Sequence, residues 1–294
     1  MIPPRPPGPV LTPADHTMLR ALVYQRAGLV LEPGKEYFAE LRLGALAHDE
    51  GFADASHVMD ALRTEEAWGV LHRLVVESLA VCETSWFRDL HTWDALRTLW
   101  IPELLQRRAA TRELRIWSAA CASGQEPYSL AMMLREHFPA LFEWKVTLLA
   151  TDFSTTMLRR ARDGEYSQIE MNRGLAAPLL VRYFRKDRNE WRIRDDVRAM
   201  VEFRELNLTG PWPILPPVDL VLMRNVLIYF DTSTRRRVLR QLHGALAPDG
   251  GLVLGGGETT LTMDDSFEPM NQGRTVIHRP RPKTPEEANR WKAA

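Results

Sequence analysis

A mixed α/β fold with a parallel sheet, preceded by an all-α N-terminal domain, is what this sequence predicts. Three observations carry the prediction. Residues 15–77 hold apolar positions at helical spacing with no strand pattern among them. Beyond residue 83 short apolar runs alternate with amphipathic helical stretches, which calls for right-handed crossovers and a parallel sheet. The first such apolar run ends in an unbroken series of small residues, Ser118 to Gly124, ahead of Glu126 and Pro127. Small side chains between strand and helix let another group approach the backbone closely.

The elements follow in order. Residues 1–14, with the proline-rich stretch MIPPRPPGP, read as a disordered arm; they lack the apolar core of a signal peptide. Residues 15–82 form the helical domain: Leu19, Leu22 and Val23 precede a turn at Gly28, and Phe38, Leu41, Leu43 and Leu46 follow. Further helices are expected over 55–62 and 67–79. The second domain, residues 83–280, alternates strand 114–118, helix 128–137, strand 145–151, helix 155–162, strand 220–223, helix 234–246 and strand 251–254. Within it, Trp191, Ile193, Val197, Val201 and Phe203 suggest antiparallel strands around a turn at Asp195-Asp196, a subdomain over about 183–206. Residues 281–294 read as a loose tail.

Composition excludes several function classes. Of 294 residues, Lys+Arg and Asp+Glu number 38 each, so no net field draws the chain to nucleic acid or to an anionic membrane. No apolar run approaches the ~18 residues of a membrane span. Cys82 and Cys121 form no CxxC pair, and the histidines show no HExxH, so neither a disulfide framework nor a metal site is expected. The expectation is a soluble, cytoplasmic, monomeric protein.

In an open α/β sheet, ligands bind beyond the carboxyl ends of the strands where strand order reverses. The 118–124 loop has neither G-x-G-x-x-G nor G-K-[ST], which disfavours a pyrophosphate. Glu126 suits an ammonium or hydroxyl group, or simply stabilises a helix start. Asp152, ending the second strand, stands where such folds bind ribose hydroxyls, though it or Ser154 could equally cap the next helix. A hydroxyl-binding acid without a phosphate cradle points to an adenosyl ligand such as S-adenosylmethionine.

WSAACASGQEPYSLAMML, ATDFSTTMLRRARDGEY and LMRNVLIYFD, in this order and spacing, resemble the CheR family of chemotaxis-receptor protein-glutamate O-methyltransferases. ETSWFRD, residues 83–89, resembles that family's T-x-F-F-R-[DE] junction, and the similarity runs from 17 to 280. The resemblance implies a Rossmann-like methyltransferase sheet with S-adenosylmethionine as cofactor and S-adenosylhomocysteine as product. Its contacts would be Cys82, Thr84, Arg88, Glu126, Asp152, Asn207, Leu208, Arg224 and Asn225, with Arg88 and Tyr229 serving catalysis. The partner would be the cytoplasmic helical region of chemoreceptors. Some members bind a receptor C-terminal pentapeptide on the antiparallel subdomain; here the stretch RKDRNE, 185–190, lacks their glycine, so a tether-independent enzyme is expected. The chain departs from the family at Cys82, where asparagine is usual, and at GGGE, 255–258, in place of G-H-S-E. A degenerate S-adenosylhomocysteine-binding regulatory module, and a methyltransferase for a non-chemotaxis receptor, are the alternatives.

Overall fold

The computed structural model describes residues 11–66, 68–261 and 263–282. These group into two compact units, one running to Val81 and including Tyr229–Asp231, the other holding Cys82–Ile228 and everything from Thr232 onward.

The first unit is helical: α1 (Pro13–Ala27), α2 (Glu36–Glu50), α3 (Ala55–Thr64) and α4 (Val70–Leu79). Disorder was expected through residue 14, yet α1 starts at Pro13. Thr12 and Asp15 form a reciprocal capping box there, and Leu11 is buried. Residues 1–10 of the expected arm, and 283–294 of the expected tail, lie outside the described residues. The fourth helix begins at Val70 rather than at 67, because Glu65 accepts from the N–H groups of Leu71 and His72, both at 3.1 Å, and so closes its first turn. Leu19, Val23, Leu43, Val58, Met59, Val75 and Val76 make the core of this unit.

The second unit opens with a helical run that the sequence reading did not single out. It comprises α5 (Leu90–Ala95), a π-helical turn (Leu96–Trp100) and α6 (Ile101–Arg107). The chain then lays down β1 (Glu113–Ala119), α7 (Gln125–His137), β2 (Lys145–Asp152) and α8 (Thr155–Asp163). After an excursion it continues with β6 (Val201–Glu205), β7 (Val218–Met223), α12 (Thr232–Ala245), β8 (Leu246–Leu254), β9 (Phe267–Gln272) and β10 (Thr275–Pro280). The excursion holds β3 (Glu165–Ser167), α9 (Gln168–Met171), α10 (Ala177–Tyr183), β4 (Phe184–Asp187), β5 (Glu190–Ile193) and α11 (Asp195–Arg198).

The large sheet has the order β6-β2-β1-β7-β8-β10-β9, with the first five strands parallel and β10 antiparallel to both neighbours. The chain winds outward from β1 to β2 and β6, then returns to the far side of β1 for β7 and β8. The order therefore reverses between β1 and β7, which opens a crevice at their carboxyl ends. β7, VDLVLM, is buried along its whole length, as a central parallel strand covered on both faces must be. The one acid in it, Asp219, is paired: Arg108 Nε and the Arg115 N–H each donate to it at 2.7 Å.

The antiparallel subdomain differs from expectation. The small sheet is β3-β5-β4, recruiting residues 165–167, and Val201–Glu205 is not part of it. Asp195–Arg198 is a helical turn, and the strand after it joins the edge of the large sheet parallel to β2. Alternation alone gives a strand's inward face but not its partner.

His278 on β10 is 2% exposed and faces Thr260 Oγ1 at 2.9 Å. Burial pushes its pKa down to about 4. Below the ~6.5 of an exposed imidazole the unfolded chain takes up this proton and the folded chain does not. Folding stability should therefore fall as pH drops from about 6.5 toward 4, by roughly 3 kcal/mol from this residue. Urea titrations across that window should show a shallower pH dependence for His278→Asn than for the native chain.

Candidate active site

The loop after β1 explains its own composition. Ala120, Ala122 and Gly124 all take left-handed backbone angles, φ 57°, 47° and 94°. For residues with a β-carbon this conformation costs roughly 1–2 kcal/mol each, and larger side chains would add crowding. At Gly124 a β-carbon would lie 3.0 Å from Ala161 Cβ and 3.2 Å from the Tyr166 hydroxyl. Three contacts hold the strained path. The Cys121 N–H donates to Thr151 O at 2.9 Å, the Ala122 N–H to Asp152 Oδ2 at 2.8 Å, and the Tyr166 hydroxyl to Ser123 O at 2.8 Å. Cys121 is a packing residue; burial pushes its thiol well up, which leaves it inert.

Asp152 ends β2 with its carboxylate fixed by two backbone amides, Ala122 on Oδ2 and Ser154 on Oδ1 at 2.9 Å. Ser154, not Asp152, caps α8, its Oγ accepting from Met157 N at 3.1 Å. The Asp152 backbone carbonyl accepts from Leu206 N at 2.9 Å, which ties the end of β2 to the loop after β6. There Asn207 Oδ1 accepts from the N–H and hydroxyl of Thr209, and buried Leu208 accepts the Trp212 indole N–H on its carbonyl at 3.2 Å.

Glu126 stands in the first turn of α7. Ser118 donates to its Oε1 at 2.7 Å, and Arg224 Nη1 donates to Oε2 at 3.3 Å. Arg224, just past β7, has a side chain 2% exposed. Its Nη2 donates both to the Arg88 carbonyl at 2.8 Å and to Asp89 Oδ2 at 2.6 Å. A single buried cation thus joins the end of β7, the start of α7 and the 83–89 junction. The junction is also anchored by Trp86, fully buried edge-on to Tyr166 and Phe184 at 4.9 and 5.2 Å. Phe87 and Asp89 flank Arg88 in left-handed conformations. The Arg88 guanidinium makes no ion pair among the described residues. Cys82 and Thr84 are half-buried in the irregular stretch that leads to Trp86.

Glu126, Asp152, Asn207, Leu208, Arg224 and Asn225 therefore all stand just beyond the carboxyl ends of β1, β2, β6 and β7, with the Arg88 backbone held among them by Arg224. Tyr229, with Phe230 and Asp231, groups with the helical unit, its carbonyl accepting from Val30 N–H at 2.9 Å. Sequence reasoning missed Ser118, Asp89 and Glu258. Glu258 receives the N–H groups of Asn225, Val226 and Gly255, and its only signal was an acid in the glycine turn after β8. No group of three or more metal-ligating side chains occurs among the described residues.

The residues at these strand ends fit S-adenosylmethionine. Asp152 is a carboxylate of the kind that suits ribose hydroxyls, Asn225 Oδ1 is buried without a hydrogen-bond partner, and Arg88 is a cation with no ion pair among the described residues. The sequence profile described as "CheR methyltransferase, SAM binding domain" matches residues 82–276. The chain belongs to the CheR methyltransferase family. S-adenosylmethionine is its cofactor.

Relatives span nearly the whole chain. Chemotaxis protein methyltransferase 1 of Pseudomonas aeruginosa is 37% identical over 270 residues, covering 90% of this chain and 97% of that protein. Chemotaxis protein methyltransferase Cher2 of Pseudomonas putida is 34% identical over 268 residues, again 90% and 97%. The chemotaxis protein methyltransferase of Escherichia coli is 33% identical over 272 residues, covering 90% and 91%.

Asp152→Ala should weaken S-adenosylhomocysteine binding by about 10- to 100-fold, as expected for losing a hydrogen-bonded carboxylate worth roughly 1–3 kcal/mol. Isothermal calorimetry measures this directly, and native affinity in the variant would take Asp152 out of the site.

Proposed function

We propose that this CheR-family enzyme forms methyl esters on glutamate side chains in the cytoplasmic helices of chemoreceptors, and does so as a cytoplasmic monomer without a pentapeptide tether. The names of its relatives support the chemotaxis setting. Among the described residues no helix is long and apolar enough to cross a membrane. The observation that carries the chemical reading is the crevice itself, where one buried arginine is matched by two acids and holds the backbone of Arg88, a second arginine with no ion pair among the described residues.

When bound, S-adenosylmethionine supplies a methyl group on a positively charged sulfur, and transfer to a carboxylate extinguishes both charges. A glutamate with a pKa near ~4.3 is already ionised at neutral pH, so the enzyme needs no general base. That suits a site whose named residues include no histidine. What remains for the protein is positioning and the exclusion of water. Arg88 offers planar donors to a carboxylate of the cofactor or the substrate. Arg224 holds the Arg88 backbone in place from beneath. Tyr229 is assigned to face the reacting methyl on the family resemblance.

The small sheet supports independence from a tether. Residues 185–190, read from sequence as a connection between helix and strand, are β4, a tight turn with Arg188 at φ 51°, and the start of β5. β4 is one free edge and carries Arg185, Lys186 and Asp187; β3, the other, is three residues long. Peptide addition needs an accessible edge, and charged or very short edge strands resist it.

One experiment tests the whole reading. Labelled methyl from S-adenosylmethionine is followed onto receptor-containing membranes, with and without the receptor's C-terminal pentapeptide. Base-labile release as methanol identifies an ester, and equal rates for the two receptors are expected. Arg88→Ala should lower transfer at least 10-fold while leaving circular dichroism unchanged. Base-stable label, strict dependence on the pentapeptide, or native turnover in Arg88→Ala would contradict the corresponding part.

A further inference from the structure

The glycine turn after β8 contains a carboxylate whose hydrogen bonds go to backbone amides on both of its oxygens. Glu258 Oε2 accepts from the N–H groups of Asn225 and Gly255, each at 2.7 Å. Oε1 accepts from Val226 at 2.8 Å and from Ile228 at 3.3 Å. Three of these four donors belong to the segment that leaves β7 at the point where strand order reverses. Asn225, the first of them, has a left-handed backbone at φ 61°, a conformation that needs outside support in a residue with a side chain.

Turn and segment also touch sterically. A β-carbon on Gly255 would lie 2.8 Å from the backbone nitrogen and Nδ2 of Asn225 and equally close to Glu258 Oε2. Glycine is therefore required at 255 for the asparagine to keep its place. The Asn225 side chain ends in an Oδ1 that is buried and has no hydrogen-bond partner. Buried unpaired acceptors are rare because each forfeits its hydration, and one that stands at the switch-point crevice calls for a donor from outside the chain.

We infer that Glu258 is a positioning residue for cofactor binding: it clamps residues 225–228 so that Asn225 Oδ1 is offered as the acceptor for an N–H or O–H donor of the adenosyl ligand. Only a carboxylate can do this at 258, because both ends of the side chain must accept. The departure from the family in this turn, GGGE for G-H-S-E, leaves that group in place. The inference rests on the reading of this crevice as the S-adenosylmethionine site.

The test is a double-mutant cycle read by calorimetry with S-adenosylhomocysteine, with thermal melts and amide hydrogen exchange as controls. Glu258→Gln keeps the shape but turns an amide NH₂ toward amide donors, so it should weaken binding about 10- to 100-fold, as much as Glu258→Ala. Exchange at residues 225–228 should quicken while the amides of β1 and β7 stay protected. In an Asn225→Ala background, Glu258→Gln should cost little more than Asn225→Ala alone. Native affinity in Glu258→Gln, or the same fold-loss in both backgrounds, would overturn the inference. Should Glu258→Gln fail to fold, Glu258→Asp keeps a carboxylate but withdraws it by one methylene from the amides of residues 225–228. It should show the same non-additive loss, and an additive loss or none would overturn the inference equally. Asp152→Ala run in parallel separates the two levels. If it loses affinity while Glu258→Gln does not, the site stands and the role of Glu258 falls; if it binds normally, both fall.

Discussion

The buried guanidinium of Arg224 is the constraint on which the crevice depends. A cation with a side chain 2% exposed is tolerable only if its charge is matched. Here the matching groups come from separate stretches of chain: Glu126 from the first turn of α7, and Asp89 with the Arg88 carbonyl from the junction before α5. Forming those contacts brings three segments, distant in sequence, to the carboxyl end of β7. Removing the arginine would leave its two carboxylates without their cation, a cost of up to about 3–5 kcal/mol. The clamp therefore links folding to site geometry, and its energy is supplied by the same residues that line the crevice.

Around this clamp the backbone stores strain. Ala120, Ala122, Gly124, Phe87, Asp89 and Asn225 are all left-handed, and all lie in the loops that define the site. The sheet beneath them is what makes this tolerable, since β1 and β2 are paired along their length and β7 is buried throughout. Asp152 shows the economy of the arrangement. Its carboxylate fixes the strained loop through Ala122 N–H and the start of α8 through Ser154 N–H. The acid suited to a ribose is thus already held rigid by the backbone it organises, which is pre-organisation in the sense that lowers the ordering cost of binding.

Much of this was legible from the chain. VDLVLM, apolar at every position but Asp219, could hardly be anything but a central parallel strand, and the small-residue run could hardly tolerate bulk. Both signals are local and depend on burial alone. What could not be read depends on partners distant in sequence. Val201–Glu205 alternates like an antiparallel strand, but only tertiary pairing reveals that it extends the parallel sheet beside β2. The three residues of β3 are too few to show any period. Thr12 was hidden behind a proline-rich stretch, although its capping box with Asp15 is a local signal that could have been found. Arg224 looked like a ligand contact and is first a structural cation, because nothing in sequence reports which carboxylates will face it. Glu258 was overlooked since its partners are backbone amides on another loop.

The central claim is that the forked geometry of Arg224, and not merely its charge, assembles the site. Arg224→Lys keeps the cation but cannot span Glu126, Asp89 and the Arg88 carbonyl at once. Amide hydrogen exchange of that variant, paired with S-adenosylhomocysteine calorimetry, tests the claim directly. The account predicts loss of protection across residues 86–90, undisturbed protection in β1 and β7, and affinity lower by at least 10-fold. Native protection at the junction together with native affinity would contradict it.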